Sequence, residues 1–347
     1  MLEGIALSDL HLDGLNKHFI DGNDRIIAEM EKVYQYAMKN GVKYIFMPGD
    51  LADTPDLDWE TYGKLFMFLK RYDGKIHTFY IAGNHDFADI ENTSMNFLEL
   101  LAREGVFKTF KIYLKPERTE IEGVPINFLP FPCLETLSTK KGALNFAHVE
   151  YSGAIGDNGR ALKTKHELST HKNDFTISGH IHQYQFMKAK RAVYCGNPFQ
   201  KNFGESLPKG FIHFKAEMNG DKVVFEHKFV ENKPNFTLQV IMINDLNDFK
   251  KLKHDDSIRY KLVIDPDVPV PPDLRIKYPN ITGDIRVGNK SVKNNAVEEI
   301  VPVQRADINP RLGLKKFLSA EGMDKKMIKA AVQEVKKAQD KLGFATA

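Results

Sequence analysis

The feature that most constrains this chain is a short apolar segment followed directly by Asp, Asn or His, a pairing that occurs five times between Ile5 and His182. The polar residues are Asp9 and His11, then Asp50, then Asn84 with His85 and Asp86, then His148, and finally His180 with His182. Amphipathic helical spacing separates the first segments, as over residues 24–40. This alternation predicts an α/β sheet whose strand ends gather the polar side chains at one rim.

These polar residues have the chemistry of metal ligands. Alternate residues of an extended segment point the same way, so Asp9 and His11 can present two ligands to one side. Mixed His, Asp and Asn ligands suit Mn, Fe or Zn better than Ca or Mg. Seven such ligands exceed the need of one ion, but they suffice for two ions sharing a carboxylate. Two ions ~3.5–4 Å apart can activate a water and clamp an in-line displacement at phosphorus. Each motif alone is weak; their joint occurrence predicts a two-metal phosphoesterase.

The remaining chain predicts a second sheet and two further regions. After residue 105 most apolar segments read as strands: 119–122, 124–129, 143–148, 174–178, 192–195, 210–214 and 223–229. We therefore expect a first domain over 1–232 with two sheets and outer helices. Residues 233–305 read as a small α/β domain with a proline-rich stretch at 265–272. Asn309-Pro310 suits the start of a helix, so we expect a helical tail over 306–347.

Composition restricts the environment more than the activity. No apolar run approaches the ~20 residues that cross a bilayer, and residues 1–11 do not resemble a secretory signal. Two cysteines cannot form a disulfide framework, so we expect a cytoplasmic protein, in the host cytoplasm if a phage encodes it. The net charge of the chain is +3. The segment from Pro310 onward contains nine Lys/Arg and four Asp/Glu, so the residues before it carry a net charge of −2.

The five motifs resemble the signature of the calcineurin-like metallophosphoesterase superfamily over about the first 200 residues. The resemblance implies a four-layer α-β-β-α sandwich and a set of residue roles. One ion would be held by Asp9, His11 and His182, the other by Asn84, His148 and His180, and Asp50 would bridge them. His85 would be the catalytic residue that faces the scissile phosphate and stabilises charge or protonates the leaving oxygen.

The layout is similar to the SbcD-type nuclease subunits and their phage relatives. That resemblance implies a Mn²⁺-dependent exonuclease and endonuclease acting on DNA in recombination, repair or replication. It also implies a capping domain at 233–305 and a tail that binds a coiled-coil ATPase of the SbcC type. One position departs from the pattern: some members carry a second active-site histidine where this chain has Asp53. Asp53 would orient His85, tune a ligand or cap a helix, and its role stays open.

Two other functions are compatible with the motifs. The first is hydrolysis of small molecules or phosphoproteins, such as cyclic nucleotides or dinucleotide polyphosphates, by the same chemistry. The second is a scaffold that keeps the fold without catalysis. The complete ligand set disfavours the scaffold, and the extra domain and tail disfavour the small-molecule enzyme.

Two interaction surfaces are predicted. In the tail, apolar side chains such as Met327, Ile328 and Val335 lie on one helical face and lysines on the opposite face. We expect Asn309–Gly343 to bind the ATPase; packing on this chain's own core and binding to anionic lipid are the alternatives. A homodimer through helices 59–72 and 94–104 is also expected, because Leu65, Phe66, Phe68 and Leu69 spread over more than one helix face. The alternative is that these four side chains pack on the sheet.

Overall fold

The computed structural model describes residues 1–89, 93–137, 141–205, 207–282, 285–287 and 290–292, together with Lys325, Lys329, Val332 and Gln333. The described chain divides into two compact units. The first comprises the described residues of Met1–Phe199, Leu207–Lys233 and the four described residues beyond residue 306, and the second comprises Gln200–Glu205 and the described residues from Pro234 to Val292. The predicted domain boundaries and roles stay predictions. The predicted tail, 306–347, lies outside the described residues apart from the four named above.

The first unit contains a six-stranded sheet. Its strands and the helices between them are β1 (Leu2–Ala6), α1 (Gly22–Lys39), β2 (Tyr44–Pro48), α2 (Trp59–Tyr72), β3 (His77–Ile81), α3 (Asn96–Arg103), β4 (Phe110–Tyr113), β11 (Lys209–Asn219) and β12 (Lys222–Asn232). The strand order is β12-β11-β1-β2-β3-β4. Strands β1 to β4 are parallel, whereas β11 is antiparallel to both β1 and β12.

A second six-stranded sheet consists of β5 (Glu117–Ile121), β6 (Val124–Leu129), β7 (Leu144–His148), β8 (Phe175–Gly179), β9 (Gln185–Met187) and β10 (Ala192–Tyr194). The strand order is β5-β6-β7-β8-β10-β9. The four inner strands are parallel, and the edge strands β5 and β9 are antiparallel to their neighbours. A short 3₁₀ helix, Lys188–Lys190, precedes β10.

An aromatic core joins the two sheets face to face. Phe46 of β2 stacks on Phe146 of β7 with ring centroids 4.0 Å apart, and Tyr113 of β4 stacks on Phe128 of β6 at the same distance. These rings are at least nine-tenths buried and belong to one apolar cluster with residues of both sheets. Burial of several large rings at this interface contributes strongly to the stability of the unit.

The outer faces of the sandwich are covered differently. Helix α1 packs on the first sheet, where the buried Tyr34 hydroxyl hydrogen-bonds Thr78 at 2.9 Å. On the second sheet, residues 149–174 between β7 and β8 form no α-helix, and they cover the face through Tyr151, Ala154 and Leu168. The predicted α/β sandwich of two sheets is confirmed, with irregular chain over this part of its outer layer.

The second unit has its own sheet and core. The sheet order is β13-β14-β15-β16, with only the last pair antiparallel. Its elements are β13 (Thr237–Ile243), a 3₁₀ helix (Leu246–Lys251), β14 (Ile258–Ile264), α4 (Leu274–Lys277), β15 (Ile285–Val287) and β16 (Lys290–Val292). Phe249, Leu262 and Tyr278 lie in its buried cluster. None of the described helices has the length and apolar character required to cross a membrane.

Candidate metal centre

All eight predicted site residues lie just beyond or at the carboxyl ends of β1, β2, β3, β7 and β8. The parallel strands of each sheet end at the same rim, so the two sheets together deliver these side chains to one end of the sandwich. Burial is nearly complete for four of them, with exposures of 0–2%. These four are Asp9, His11, Asp50 and His148. Buried acidic and imidazole side chains at this density require compensation by cations, protons or hydrogen bonds.

One half of the site is formed by Asp9, His11 and His182. The Nε2 atoms of His11 and His182 are 3.1 Å apart, and Asp9 Oδ1 lies 3.9 Å from His182 Nε2. Asp9 Oδ1 also accepts the backbone N–H of His180 at 3.0 Å. The Ser8 hydroxyl, in turn a neighbour of Cys195 Sγ at 3.1 Å, donates to Asp9 Oδ2. Both oxygens of the Asp9 carboxylate therefore accept hydrogen bonds, which fix its orientation.

The other half is formed by Asn84, His148 and His180. Asn84 Oδ1 lies 3.0 Å from His148 Nε2 and 2.9 Å from His180 Nδ1. His148 Nδ1 donates to the Pro48 carbonyl at 2.9 Å, which leaves Nε2 to face the centre. Burial and the neighbouring His148 lower the pKa of His180, and this favours the neutral imidazole that binds metals.

Asp50 lies between the halves. Its Oδ2 is 3.3 Å from His148 Nε2 and 3.8 Å from His11 Nε2, and its Oδ1 accepts the His85 N–H at 2.9 Å. Burial opposes ionisation of Asp50, but the charges of His148 and His11 outweigh it and lower the pKa of the carboxyl. Burial would lower the pKa of His148, yet Asp50 raises it to about 9. The Asp50 carboxylate thus attracts positive charge between the two halves.

The backbone around the site is strained. Asp9, Asp50 and His180 have φ values of 57°, 54° and 83°, and His11 has 48°, all in the left-handed region that favours glycine. Non-glycine residues in that region cost free energy, and such positions cluster at functional sites. The strain is the cost of turning each strand end so that its side chain faces the centre.

Two glycines leave room that any side chain would fill. At Gly49, with φ of 98°, a Cβ would stand 2.0 Å from His148 Nδ1. At Gly83 a Cβ would stand 2.2 Å from Asp50 Oδ1. Real Cβ atoms do not approach so closely, so the glycines of Gly49-Asp50 and Gly83-Asn84 are required by the packing of the ligand side chains.

Asp86 fixes the loops. Its carboxylate accepts backbone N–H groups of Gly83, Ala52 and Asp50 at 2.7, 2.9 and 3.0 Å, and the Tyr80 hydroxyl donates to it as well. Burial and the charge of Asp50 raise the pKa of Asp86 to about 7. The residue therefore clamps the loop after β2 to the loop after β3.

His85 Nδ1 donates to the backbone carbonyl of Asp53 at 2.8 Å, so its Nε2 is the atom left to meet a substrate. The His85 ring lies edge-on to His11 with centroids 4.7 Å apart and is only partly buried. The Asp53 carboxylate is 3.3 Å from His11 Nδ1. Two of the three expected roles of Asp53 are therefore represented in the structure. Its backbone carbonyl orients His85, and its carboxylate contacts the ligand candidate His11.

Two residues of the site were missed from the sequence. Glu150 Oε1 lies 3.1 Å from His180 Nε2, and Asp157 Oδ2 lies 2.8 Å from His182 Nδ1. Glu150 had a signal, since it follows His148 by two residues on an extended segment. Asp157 had none, because only the folded path of the loop brings it to His182.

The donor set fits a pair of divalent cations. Ligand atoms that share one ion at about 2.0–2.2 Å stand roughly 3.0–3.5 Å apart. The closest contacts between opposed donors here, 2.9–3.3 Å, agree with that spacing. In the second half the Asn84 carbonyl oxygen, the Asp50 carboxylate and the lone pair of His148 converge, and such acceptors attract each other only through a cation or a proton. Seven donors in two halves around one carboxylate fit two ions better than one.

The comparison with protein families decides the class. The family model of the calcineurin-like phosphoesterases matches residues 5–184, more than half of the chain. This chain is a calcineurin-like phosphoesterase. The matched span contains every residue of the candidate site, from Asp9 to His182. Membership confirms the prediction of a metal-dependent phosphoesterase.

Among curated proteins, this phosphoesterase is similar to exonuclease subunit 1 of enterobacteria phage T4, with 26% identity over 231 residues. The alignment covers 62% of the present chain and 62% of the phage protein. This similarity confirms the predicted resemblance to SbcD-type nuclease subunits. Among solved structures, GAP50, the anchor in the inner membrane complex of Plasmodium, matches at 14% identity with a TM-score of 0.33. That match covers 66% of this chain and 84% of the other, and its TM-score is too low to support a conclusion.

Proposed function

We propose that this phosphoesterase is a DNA nuclease subunit that cuts phosphodiester bonds as exonuclease and endonuclease. The observation that carries the proposal is the similarity to a phage exonuclease subunit. The chain also brings the seven predicted donors and His85 together at one end of the sandwich. The complete donor set disfavours a catalytically silent scaffold. A DNA substrate would place the protein in the cytoplasm, or in the host cytoplasm if a phage encodes it.

In this proposal Asp9, His11 and His182 would hold one divalent ion, Asn84, His148 and His180 would hold the other, and Asp50 would bridge them. The support is the grouping of these side chains into two halves around Asp50. The mixture of carboxylate, amide and imidazole donors suits Mn²⁺, which we propose as the metal. When bound, two such ions activate a water and stabilise charge at phosphorus.

His85 is proposed as the catalytic residue that meets the scissile phosphate. Its Nδ1–H is used by the Asp53 carbonyl, and Asp50 accepts its backbone N–H, so both the ring and the backbone are fixed. An imidazole Nε2 held at the edge of the centre can stabilise charge on the phosphate or protonate the leaving oxygen.

Two partner surfaces complete the proposal. Helices α2 and α3 carry the partly exposed rings of Trp59, Tyr62 and Phe97, with Phe97 5.6 Å from Trp59 and 6.0 Å from Tyr62 between centroids. This aromatic patch supports the proposed homodimer. Most of the apolar side chains on which the sequence prediction rested do not face a partner. Of the four side chains behind the prediction, Leu65, Phe68 and Leu69 are buried in the chain's own core. The second surface is the tail, proposed to bind an SbcC-type ATPase.

Hydrolysis of a panel of phosphate esters and anhydrides by the metal-free protein reloaded with Mn²⁺ tests the function. The substrates are linear double-stranded DNA, single-stranded DNA, a cyclic nucleotide, a dinucleotide polyphosphate and a phosphopeptide. DNA cleavage that disappears in His85→Asn supports the proposal. Turnover of a cyclic nucleotide or a dinucleotide polyphosphate without DNA cleavage would instead establish the small-molecule alternative. Stoichiometric metal binding without hydrolysis of any substrate would instead support the alternative of a scaffold that keeps the fold without catalysis.

A further inference from the structure

The imidazole of His180 has a partner on each nitrogen. Its Nδ1 faces the centre, 2.9 Å from Asn84 Oδ1, and its Nε2 lies 3.1 Å from Glu150 Oε1. A carboxylate accepts but does not donate, so Glu150 selects the tautomer with the proton on Nε2. The lone pair of Nδ1 is then directed at the second half of the site.

The imidazole of His182 is held in the opposite tautomer. Its Nε2 faces the centre, 3.1 Å from His11 Nε2, and its Nδ1 lies 2.8 Å from Asp157 Oδ2. Asp157 therefore selects the proton on Nδ1 and leaves the Nε2 lone pair directed at the first half. Glu150 and Asp157 thus orient the two histidines of one motif, so that His180 faces one half of the site and His182 faces the other.

A small hairpin delivers Asp157 to this point. Ile155 pairs with Ala161, and the Leu162 N–H donates to the Ala154 carbonyl at 2.7 Å, so Asp157 lies at the tip. The Gln185 side chain clamps the hairpin, because it accepts the Ile155 N–H at 2.7 Å and donates to the Ile155 carbonyl at 2.6 Å. Gln185 begins β9, directly after the loop that carries His182. Its two hydrogen bonds to Ile155 therefore connect the hairpin to the loop of His182.

We propose that Glu150 and Asp157 are positioning residues, each dedicated to one ion: Glu150 acts through His180 and Asp157 acts through His182. This inference rests on the proposed dinuclear site. A carboxylate behind a ligating histidine fixes its orientation and raises its basicity, and loss of such a partner typically lowers metal affinity ~10–100-fold. The assignment has a specific consequence: the two carboxylates govern different ions.

Site-resolved Mn²⁺ binding tests the pairing without reference to turnover. The full-length variants Asp157→Asn and Glu150→Gln remove one negative charge each and keep an acceptor oxygen. Calorimetric titration gives the two affinities, and anomalous scattering from crystals at limiting Mn²⁺ assigns each to a half. Asp157→Asn should weaken the ion beside Asp9, His11 and His182 by ~10–100-fold. Glu150→Gln should weaken the other ion to a similar degree.

The matched control is Glu167→Gln. Glu167 lies in the same segment, and its carboxylate binds the Ser152 N–H at 2.9 Å and Lys190, without contact to a ligand candidate. We expect this variant to bind both ions as the wild type does. If it reproduces the losses, they arise from loosening of the segment, and the positioning roles are overturned.

The remaining outcomes separate this inference from the proposed function. If the wild type binds no Mn²⁺, the dinuclear site itself is refuted. If the wild type binds two ions and neither Asp157→Asn nor Glu150→Gln changes an affinity, the site stands and the positioning roles are overturned. Equal loss of both ions in both variants also overturns the inference, since it denies the one-to-one pairing.

Discussion

At the scale of single residues, Asp50 is the point on which both halves of the site depend. Asp50→Asn removes the charge that lies between His11 and His148 while it keeps the size of the side chain. Two cations close together repel each other, and a bridging carboxylate offsets that repulsion. We therefore expect metal content and phosphodiesterase activity to fall together. Elemental analysis after gel filtration, beside hydrolysis of a bis-aryl phosphodiester, measures both. Full occupancy by two ions in the variant would exclude the bridging role.

His85 should behave differently. His85→Asn leaves the seven donors in place, so both ions should be retained and the fold should be unchanged. Removal of one positioned donor or general acid typically lowers turnover by ~10²–10³. Steady-state kinetics on the bis-aryl diester, with metal content as the control, separates this variant from Asp50→Asn. Near-normal turnover would remove His85 from the mechanism.

At the scale of elements, Asp73 joins the end of α2 to the start of β4. Its Oδ1 accepts the N–H groups of Lys108 and Thr109 at 2.8 and 2.9 Å, and its Oδ2 meets Lys70 Nζ at 3.1 Å. Burial would raise the pKa of Asp73, but these hydrogen bonds lower it below its ordinary value. The stabilisation is therefore present above the unfolded pKa of about 3.9 and is lost as pH falls below it.

Asp73→Asn should destabilise the first unit by about 1–3 kcal/mol at neutral pH. Urea unfolding at pH 7 and near pH 3 measures the free energy of unfolding of both proteins. The difference between them should shrink at the lower pH, where Asp73 of the unfolded wild type is protonated and the unfolded state is thereby favoured. A difference that stays constant with pH would show that the charge of Asp73 has no part in the effect.

The aromatic patch on α2 and α3 gives a second prediction at this scale. Phe97→Glu places a charge among Trp59 and Tyr62 and should convert a dimer to a monomer, because unpaired charge is costly in an apolar interface. Light scattering at micromolar concentration, without an ATPase, measures the mass. Met38→Glu is the matched control, since Met38 is 51% exposed on α1. A monomeric wild type would end the dimer proposal.

Elements with strong local signals were predictable, and short ones were not. Helix α2 occurs at the predicted residues because its spacing is amphipathic and Asp58 caps it through the Thr61 N–H at 2.7 Å. Strands β4 and β9 were missed because four and three residues carry too little periodicity. In the second unit, Leu246–Lys251 forms a 3₁₀ helix that begins at a capping box of Asp245 and Asp248.

The same distinction holds within the site. The predicted site residues follow their strands directly in sequence, so strand order alone brings them to one rim. Their outer partners depend on tertiary structure. The Asp53 carbonyl reaches His85 across two loops, and Asp157 reaches His182 only through a hairpin clamped by Gln185. Local sequence therefore predicts which residues meet at the centre, but not which groups hold them there.

At the scale of the whole molecule, the open question is where the basic amphipathic tail binds. The spacing of its residues predicts a helix with lysines on one face and apolar residues on the other. Among the four described residues of this segment, Lys325, Lys329 and Gln333 are exposed, whereas Val332 is partly buried. An apolar face of this kind needs a surface to cover it, and a groove on a partner is a common solution.

Truncation after Val303 separates a partner from the chain's own core. If the tail binds an ATPase, the truncated protein should keep Mn²⁺-dependent hydrolysis of a bis-aryl phosphodiester, because every site residue lies between Asp9 and His182. It should lose co-purification with the ATPase and stimulation by ATP. Lys325→Glu with Lys329→Glu in the full chain is the control, since it changes the exposed face and spares the apolar one. A truncated protein that misfolds or loses basal hydrolysis would assign the tail to this chain's own core.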